Sequence, residues 1–237
     1  MSAEFVNVSE NAARSLVRPV SKRAVIDAYT RALSSAEEHD KHLWGSAESM
    51  VNRFRFALEV LDWRGVGRWL DVGCGAGLLF AIASKVNFGL VEMVGVDITP
   101  AMIEEARRHP DRAHATFINA DLESLPAGLG LFDVVTAIGV LQQCSVPLER
   151  ALVALAGVTA PHGQLFLDTK NLNWRCFREE GLVPEPEHSW FDWDELQEAV
   201  AATGFEIVAS GGFLPREGRI VAIEDSHSVF LVAKRSR

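Results

Sequence analysis

The sequence predicts an α/β fold: a doubly wound, mostly parallel sheet of seven strands with an antiparallel edge hairpin and an N-terminal helical cap. Three observations carry that expectation. Short β-rich runs alternate with helical runs from Gly67 to Asp168, the pattern of parallel strands joined by crossover helices. The first strand runs straight into a loop with glycine at every second position. The last two strand patterns are joined by a loop without a helix, which suits an antiparallel pair at a sheet edge.

The elements follow in order. Residues 1–64 carry two helix patterns, Val20 to Leu33 and Ala47 to Leu61, and no strand; a helical segment without a sheet of its own must bury its apolar face on the sheet, so it is expected as a cap within one domain. The core is expected over 65–237. Its first strand is Arg68 to Val72, with a helix starting near Gly77. The second is Val91 to Val96, followed by Thr99 as N-cap and Pro100 at the first helical position, where a missing N–H costs nothing. A short third strand covers Ala115 to Ile118, and the fourth is Phe132 to Ile138. Pro147 opens a helix toward Thr159, and Gln164 to Asp168 is the fifth strand. A helix from Asp194 to Thr203, a strand from Phe205 to about Ser210 and a last strand from Val229 to Lys234 complete the core, with a lid insertion near 171–193.

Composition narrows the function classes. The chain has 237 residues, 48% apolar and 23% charged, enough to bury a core. Its net charge of −9 has the wrong sign for counterion release from a phosphate backbone, so no nucleic-acid partner is expected. Cys74, Cys144 and Cys176 are far apart and lack metal-site spacing, which predicts neither disulfides nor a metal and suits a reducing cytoplasm. The start from Met1 to Phe5 has no basic, then apolar, leader pattern, and the longest charge-free stretch, Ala151 to Leu167, falls short of the roughly 20 apolar residues of a membrane span. No membrane partner is expected.

The chemistry concentrates in Leu70-Asp71-Val72-Gly73-Cys74-Gly75-Ala76-Gly77. Glycine lets the backbone turn sharply and lets a ligand lie against main-chain N–H groups at a helix N-terminus. Leu78 stands where the nicotinamide-cofactor fingerprint needs glycine, and Asp71 would repel a pyrophosphate but suits a cationic ligand. Asp97 ends the second strand, where a carboxylate can accept from both ribose hydroxyls. Asp121 follows the third strand and can read an adenine edge. Either aspartate alone reads as a solvated turn or a cap; their placement after consecutive strands points to one site.

On these residues the segment from Gly67 to Asp168 resembles the class I, Rossmann-like methyltransferases that use S-adenosylmethionine. Four features agree in order: the Asp-x-Gly-x-Gly-x-Gly loop, Asp97, Asp121-Leu122, and Phe132 to Val135 leading to the end of the fourth strand. The resemblance implies that Asp71, Gly73 and Gly75 border the methionine part, Asp97 holds the ribose and Ile98 packs on the adenine. It places Asp121 and the Leu122 backbone at the adenine amino edge and the Ala137 carbonyl at the methionine ammonium, with Cys74 and Met102 as further cofactor contacts. Arg53 is expected to meet the methionine carboxylate, a surface arginine being the competing view.

One departure stands out. Many small-molecule members carry a histidine after the fourth strand in a Leu-x-His setting, and here the triplet is Leu141-Gln142-Gln143. Gln143 is then the candidate beside the transferring methyl, and an amide takes no proton at neutral pH. A base, where the acceptor needs one, is expected from His39 or His42 in the cap. Trp44 in the cap, with Asn171, Trp174 and His188 in the insertion, are the candidate substrate contacts, against the plainer reading that they pack cap on sheet. The expected activity is methyl transfer from S-adenosylmethionine to a small organic acceptor. A protein or RNA methyltransferase, or a non-catalytic cofactor-binding scaffold, is the alternative.

Overall fold

The computed structural model describes residues 15–18, 20–85, 91–143 and 145–236. Cys144, the leader region and the first part of the expected cap lie outside the described residues. Alternation along each strand sorts side chains onto two faces of one sheet. Strand β1 (Arg68–Val72) sends Leu70 and Val72 to one core and Trp69 to the other. β4 (Phe132–Ile138) and β5 (Thr159–Lys170) do the same with Val135 and Leu165 against Val134 and Phe166. The first core is closed by α6 (Leu148–Val158) and α8 (Trp193–Ala202), the second by α3 (Ala47–Val60), α4 (Leu78–Ala83) and α5 (Pro100–Arg108). Helices on both faces explain why β1, β2 (Glu92–Asp97) and β4 are near-continuous apolar runs.

Strand order is β3-β2-β1-β4-β5-β8-β6-β7, with β3 (Ala115–Asn119) at one edge and β6 (Phe205–Leu214), β7 (Arg219–Val221) and β8 (Ser228–Arg235) at the other. β1 to β5 pair in parallel, while β8 pairs antiparallel with both β5 and β6. The doubly wound class and the antiparallel edge are as the sequence predicts. The strand count is not: the sheet has eight strands, because three-residue β7 folds back on β6. Chain order reverses at β1, whose two neighbours β2 and β4 come from opposite sides. A crevice therefore opens at the carboxyl ends of these strands, where an open α/β sheet takes its ligand.

Above that crevice lie α1 (Lys22–Ala32), the short α2 (Glu38–Lys41) and α3. Ser21 and Ser46 cap α1 and α3 by accepting from Ala24 N and Ser49 N. The insertion after β5 contains a four-residue helix, α7 (Cys176–Glu179), and returns along β5 by a bridge between Asn171 and Phe191. Leu16 bridges to Trp190, tying the start of the described chain to this insertion.

Candidate active site

A cavity of about 150 Å³ occupies the crevice, between the glycine loop, the ends of β2 and β4, and the cap. The loop turns because Gly73 and Gly75 hold φ of +70° and +52°, a region that side chains rarely adopt. Their N–H groups are committed locally: Gly73 N donates to Val96 O at 2.8 Å, and Gly75 N donates to Asp97 Oδ2 at 2.9 Å. A Cβ on Gly73 would stand 2.5 Å from Val140, and one on Gly75 would stand 2.6 Å from the His42 ring. The loop is thus bare because Val140, just after β4, and His42 of the cap press against it.

Three carboxylates line the cavity. Asp71 is 4% exposed and accepts from Thr136 Oγ1 at 2.6 Å. Burial, with the nearby Asp97 charge adding to it, pushes its carboxyl up to about 7 in spite of that hydrogen bond. Asp97 accepts from Gly75 N and, at 2.8 Å, from Thr99 N, and burial raises it too. Asp121 accepts from Glu123 N at 3.0 Å and pairs with Lys22 of α1, which reaches Glu123 at 2.6 Å as well. Two buried carboxylates held above their ordinary range beside a bare loop make a site that gains from a positive charge.

Cys74, Ile98 and Leu122 line the same cavity, as do His42, Trp44 and Gln143. The His42 imidazole is 8% exposed and its Nε2 has no partner. Burial pushes it down to about 4, so the ring is neutral at pH 7 and a poor base. Gln143 accepts from the Tyr29 hydroxyl at 2.5 Å and meets His188 Nε2 through its own Nε2 at 3.1 Å.

Several residues picked from the sequence stand elsewhere. Ala137 and Met102 are fully buried and do not line the cavity; Ile138 and Gly139, one and two positions after Ala137, do. Arg53 is withdrawn into a buried ion pair with Asp168, donates to Ser228 Oγ at 2.8 Å and lies 5.0 Å over the Trp44 ring. Asp168 also accepts from Gly139 N at 2.6 Å, so this pair braces the end of β4. Asn171 is buried and spends its amide on the carbonyls of Ile223 and Ser226, a structural tie. Trp174 packs on Phe177 and His227 away from the cavity. His39 reaches Asp40 at 3.4 Å and does not line the cavity. His188 contributes only through Gln143.

Sequence reasoning missed Lys22, Tyr29 and Thr99, which also line the cavity. Tyr29 carried one signal, being the single tyrosine of the chain. Among the described residues no helix is long and apolar enough to cross a membrane.

Comparison with known proteins agrees with this geometry. Residues 70–163 match the family model described as a methyltransferase domain. The chain is 29% identical over 181 residues to malonyl-(acyl-carrier protein) O-methyltransferase of Enterobacter lignolyticus, covering 76% of this chain and 64% of that protein. It is 28% identical over 160 residues to ubiquinone biosynthesis O-methyltransferase of Cereibacter sphaeroides, covering 62% and 63%. The chain thus matches just under two thirds of the length of these curated relatives. In fold it is similar to magnesium protoporphyrin IX methyltransferase from Synechocystis PCC 6803 with bound SAH, with a TM-score of 0.63, 20% identity and coverage of 91% of this chain and 100% of the other. It is likewise similar to the cyclase SpnF, with a TM-score of 0.68, 22% identity and coverage of 95% and 99%. A glycine loop after β1, an aspartate ending β2 and an aspartate after β3 all fall within residues 70–163, the segment that matches a methyltransferase domain, on a sheet of the Rossmann-like fold that its methyltransferase neighbours share.

Proposed function

We infer that this chain binds S-adenosylmethionine in the cavity and transfers its methyl group to a small organic acceptor, leaving S-adenosylhomocysteine. The observation that carries this reading is the pair of buried carboxylates, Asp71 and Asp97, against a glycine loop on which a Cβ would collide with Val140 or His42. Carboxylates desolvated to this degree favour a cationic ligand. When bound, S-adenosylmethionine supplies an electrophilic methyl group on a sulfonium. Asp71 and Gly73 would border its methionine part, Asp97 would accept from the ribose hydroxyls, and Ile98 and Leu122 would flank the adenine, with Asp121 at its amino edge.

The rest of the work falls to the cap. Tyr29, His42 and Trp44 wall the cavity opposite the sheet and keep water from the reacting atoms. Neutral His42 is a poor base at pH 7. Rate then comes from holding acceptor and methyl group at attack distance, and where the acceptor carries a proton it passes to one of the carboxylates that line the cavity. The ubiquinone biosynthesis O-methyltransferase named among the relatives supports a small-molecule acceptor.

Fold does not fix the reaction, since one neighbour of this fold is a cyclase. The test is calorimetric titration of the purified chain with S-adenosylmethionine and S-adenosylhomocysteine, followed by mass spectrometry of products formed from methyl-labelled cofactor in a cell extract. Binding of both and label in a small molecule is the expected result. Label only in protein or RNA would replace this acceptor class, and binding without any label transfer would leave a scaffold.

A further inference from the structure

Five side chains form one continuous row from the insertion to the cap. Lys170, at the end of β5, sits 3.1 Å from Glu185 Oε2. Glu185 Oε2 lies 3.0 Å from His188 Nδ1, His188 Nε2 lies 3.1 Å from Gln143 Nε2, and Gln143 Oε1 lies 2.5 Å from the Tyr29 hydroxyl. The direction of every bond follows from its charged end. A carboxylate paired with lysine only accepts, so His188 must donate from Nδ1. Burial and the neighbouring Lys170 charge hold His188 below its ordinary range, so the ring is neutral and Nε2 is left as an acceptor. Gln143 must then turn its amino group to His188 and its carbonyl to Tyr29. The Tyr29 proton is committed to that carbonyl, and the phenolic oxygen has only lone pairs left.

Tyr29 and Gln143 both line the cavity. The other charges there are the acidic Asp71, Asp97 and Asp121, with Lys22 as the one cation among the described lining residues and already paired twice. We propose that this row makes Tyr29 an obligatory hydrogen-bond acceptor and so selects methyl acceptors that present an O–H or N–H, such as a neutral hydroxyl or phenol, over carboxylates. An anion would meet a lone pair and three carboxylates, with only the twice-paired Lys22 as an opposing charge. The selection rests on the methyl-transfer reading above. His188 and Glu185 are positioning residues in it, acting on the ligand only through Gln143 and Tyr29.

The test has two readouts. Nitrogen NMR of the whole chain, with the His188 resonances assigned by difference from His188→Gln, reports the tautomer directly. The Nδ1–H form at neutral pH is expected, and an Nε2–H form or an imidazolium overturns the proposal. Gln143→Glu places a carboxylate opposite Nε2, so His188 must then hold both protons and become an imidazolium at neutral pH; a ring that stays neutral in that variant also overturns it. The second readout is calorimetry with phenol and with benzoate on protein saturated with S-adenosylhomocysteine. Phenol is expected to bind at least about tenfold more tightly than benzoate, with Tyr29→Phe removing most of the difference. Equal binding, tighter benzoate binding, no phenol binding, or a difference that survives Tyr29→Phe overturns the selection. Failure of the wild-type chain to bind S-adenosylhomocysteine would instead sink the methyl-transfer reading, leaving the NMR result to stand or fall alone.

Discussion

Asp71→Asn separates binding from stability. The side chain keeps its shape, and its Oδ1 still accepts from Thr136, but the buried charge is gone. In the wild-type chain the folded carboxyl titrates near 7, against an ordinary value of 3.8. The folded state thus holds a proton that the unfolded state has lost between those two values. Stability must fall as pH rises through that window and level off above it. Three decades of proton affinity at about 1.4 kcal/mol each make the ionised Asp71 cost about 4 kcal/mol above pH 7, and by the same relation less than about 2 kcal/mol near pH 5.

Urea unfolding of both proteins at about pH 5 and pH 8 measures this, with the variant gaining more stability over wild type at the higher pH by roughly 2 to 3 kcal/mol. S-adenosylmethionine binding should weaken in the same variant, because the charge that destabilises the empty site is the one that meets the ligand's positive groups. A variant no more stable than wild type at pH 8 would refute the claim that Asp71 is held ionised at a cost. A more stable variant with undiminished affinity would refute its place beside the cofactor.

Further substitutions probe the site and its bracing. Gly75→Val brings a Cβ within 2.6 Å of the His42 ring at a φ of +52°, so cofactor affinity should fall at least about tenfold by calorimetry. Asp97→Ala removes the acceptor of Gly75 N and Thr99 N along with the ribose ligand, and should weaken binding by about 1.5 to 3 kcal/mol. Arg53→Ala leaves Asp168 buried without its cation and should cost about 3 to 5 kcal/mol in urea unfolding, whereas Arg53→Met with Asp168→Leu should recover much of that loss. With His42 pushed down to about 4, its ionisation lies below the working range, so kcat/KM between about pH 6 and 9 should keep its shape in His42→Gln.

The sheet side of the cavity was legible because its signals are local and spaced by the fold itself. A glycine loop after a strand, followed by an aspartate at the end of the next strand, survives in any sequence that builds this crevice, and β4 appears over the residues that its apolar run marks. β5 is twelve residues long, but Pro161 and Gly163 disguise its first half as a turn. The elements β7, α2 and α7 are three or four residues long, too short for any periodicity to show. The cap side was illegible for a different reason. Arg53 and Asp168 are 115 positions apart, and only the tertiary structure makes the arginine a brace rather than a ligand for the cofactor. Tyr29 sits on a helix with an ordinary polar pattern, where a residue aimed at a cavity and one aimed at solvent look alike.

The three cap helices are held by different forces. α3 buries Met50, Phe54, Ala57 and Leu58 in the same core as Trp69 and Phe80, so its detachment exposes apolar surface and belongs to global unfolding. α1 and α2 have no fully buried residue. Their ties are polar: Lys22 to Asp121 and Glu123, Tyr29 to Gln143, and Glu38 to Arg112 at 3.5 Å, where Arg112 also donates to Ala76 O of the glycine loop at 2.5 Å. Lys22 is 42% exposed, so its pairs are screened by salt and hold the helix only weakly. Lifting α1 and α2 therefore costs much less than unfolding the sheet, the condition for a locally opening unit. Lys22 and Tyr29 end on residues that line the cavity, and Glu38 on an arginine that holds Ala76 of the glycine loop. A ligand touching Tyr29 or His42 adds its contacts to those weak ties, so occupancy of the cavity and docking of these two helices must stabilise each other by the same amount.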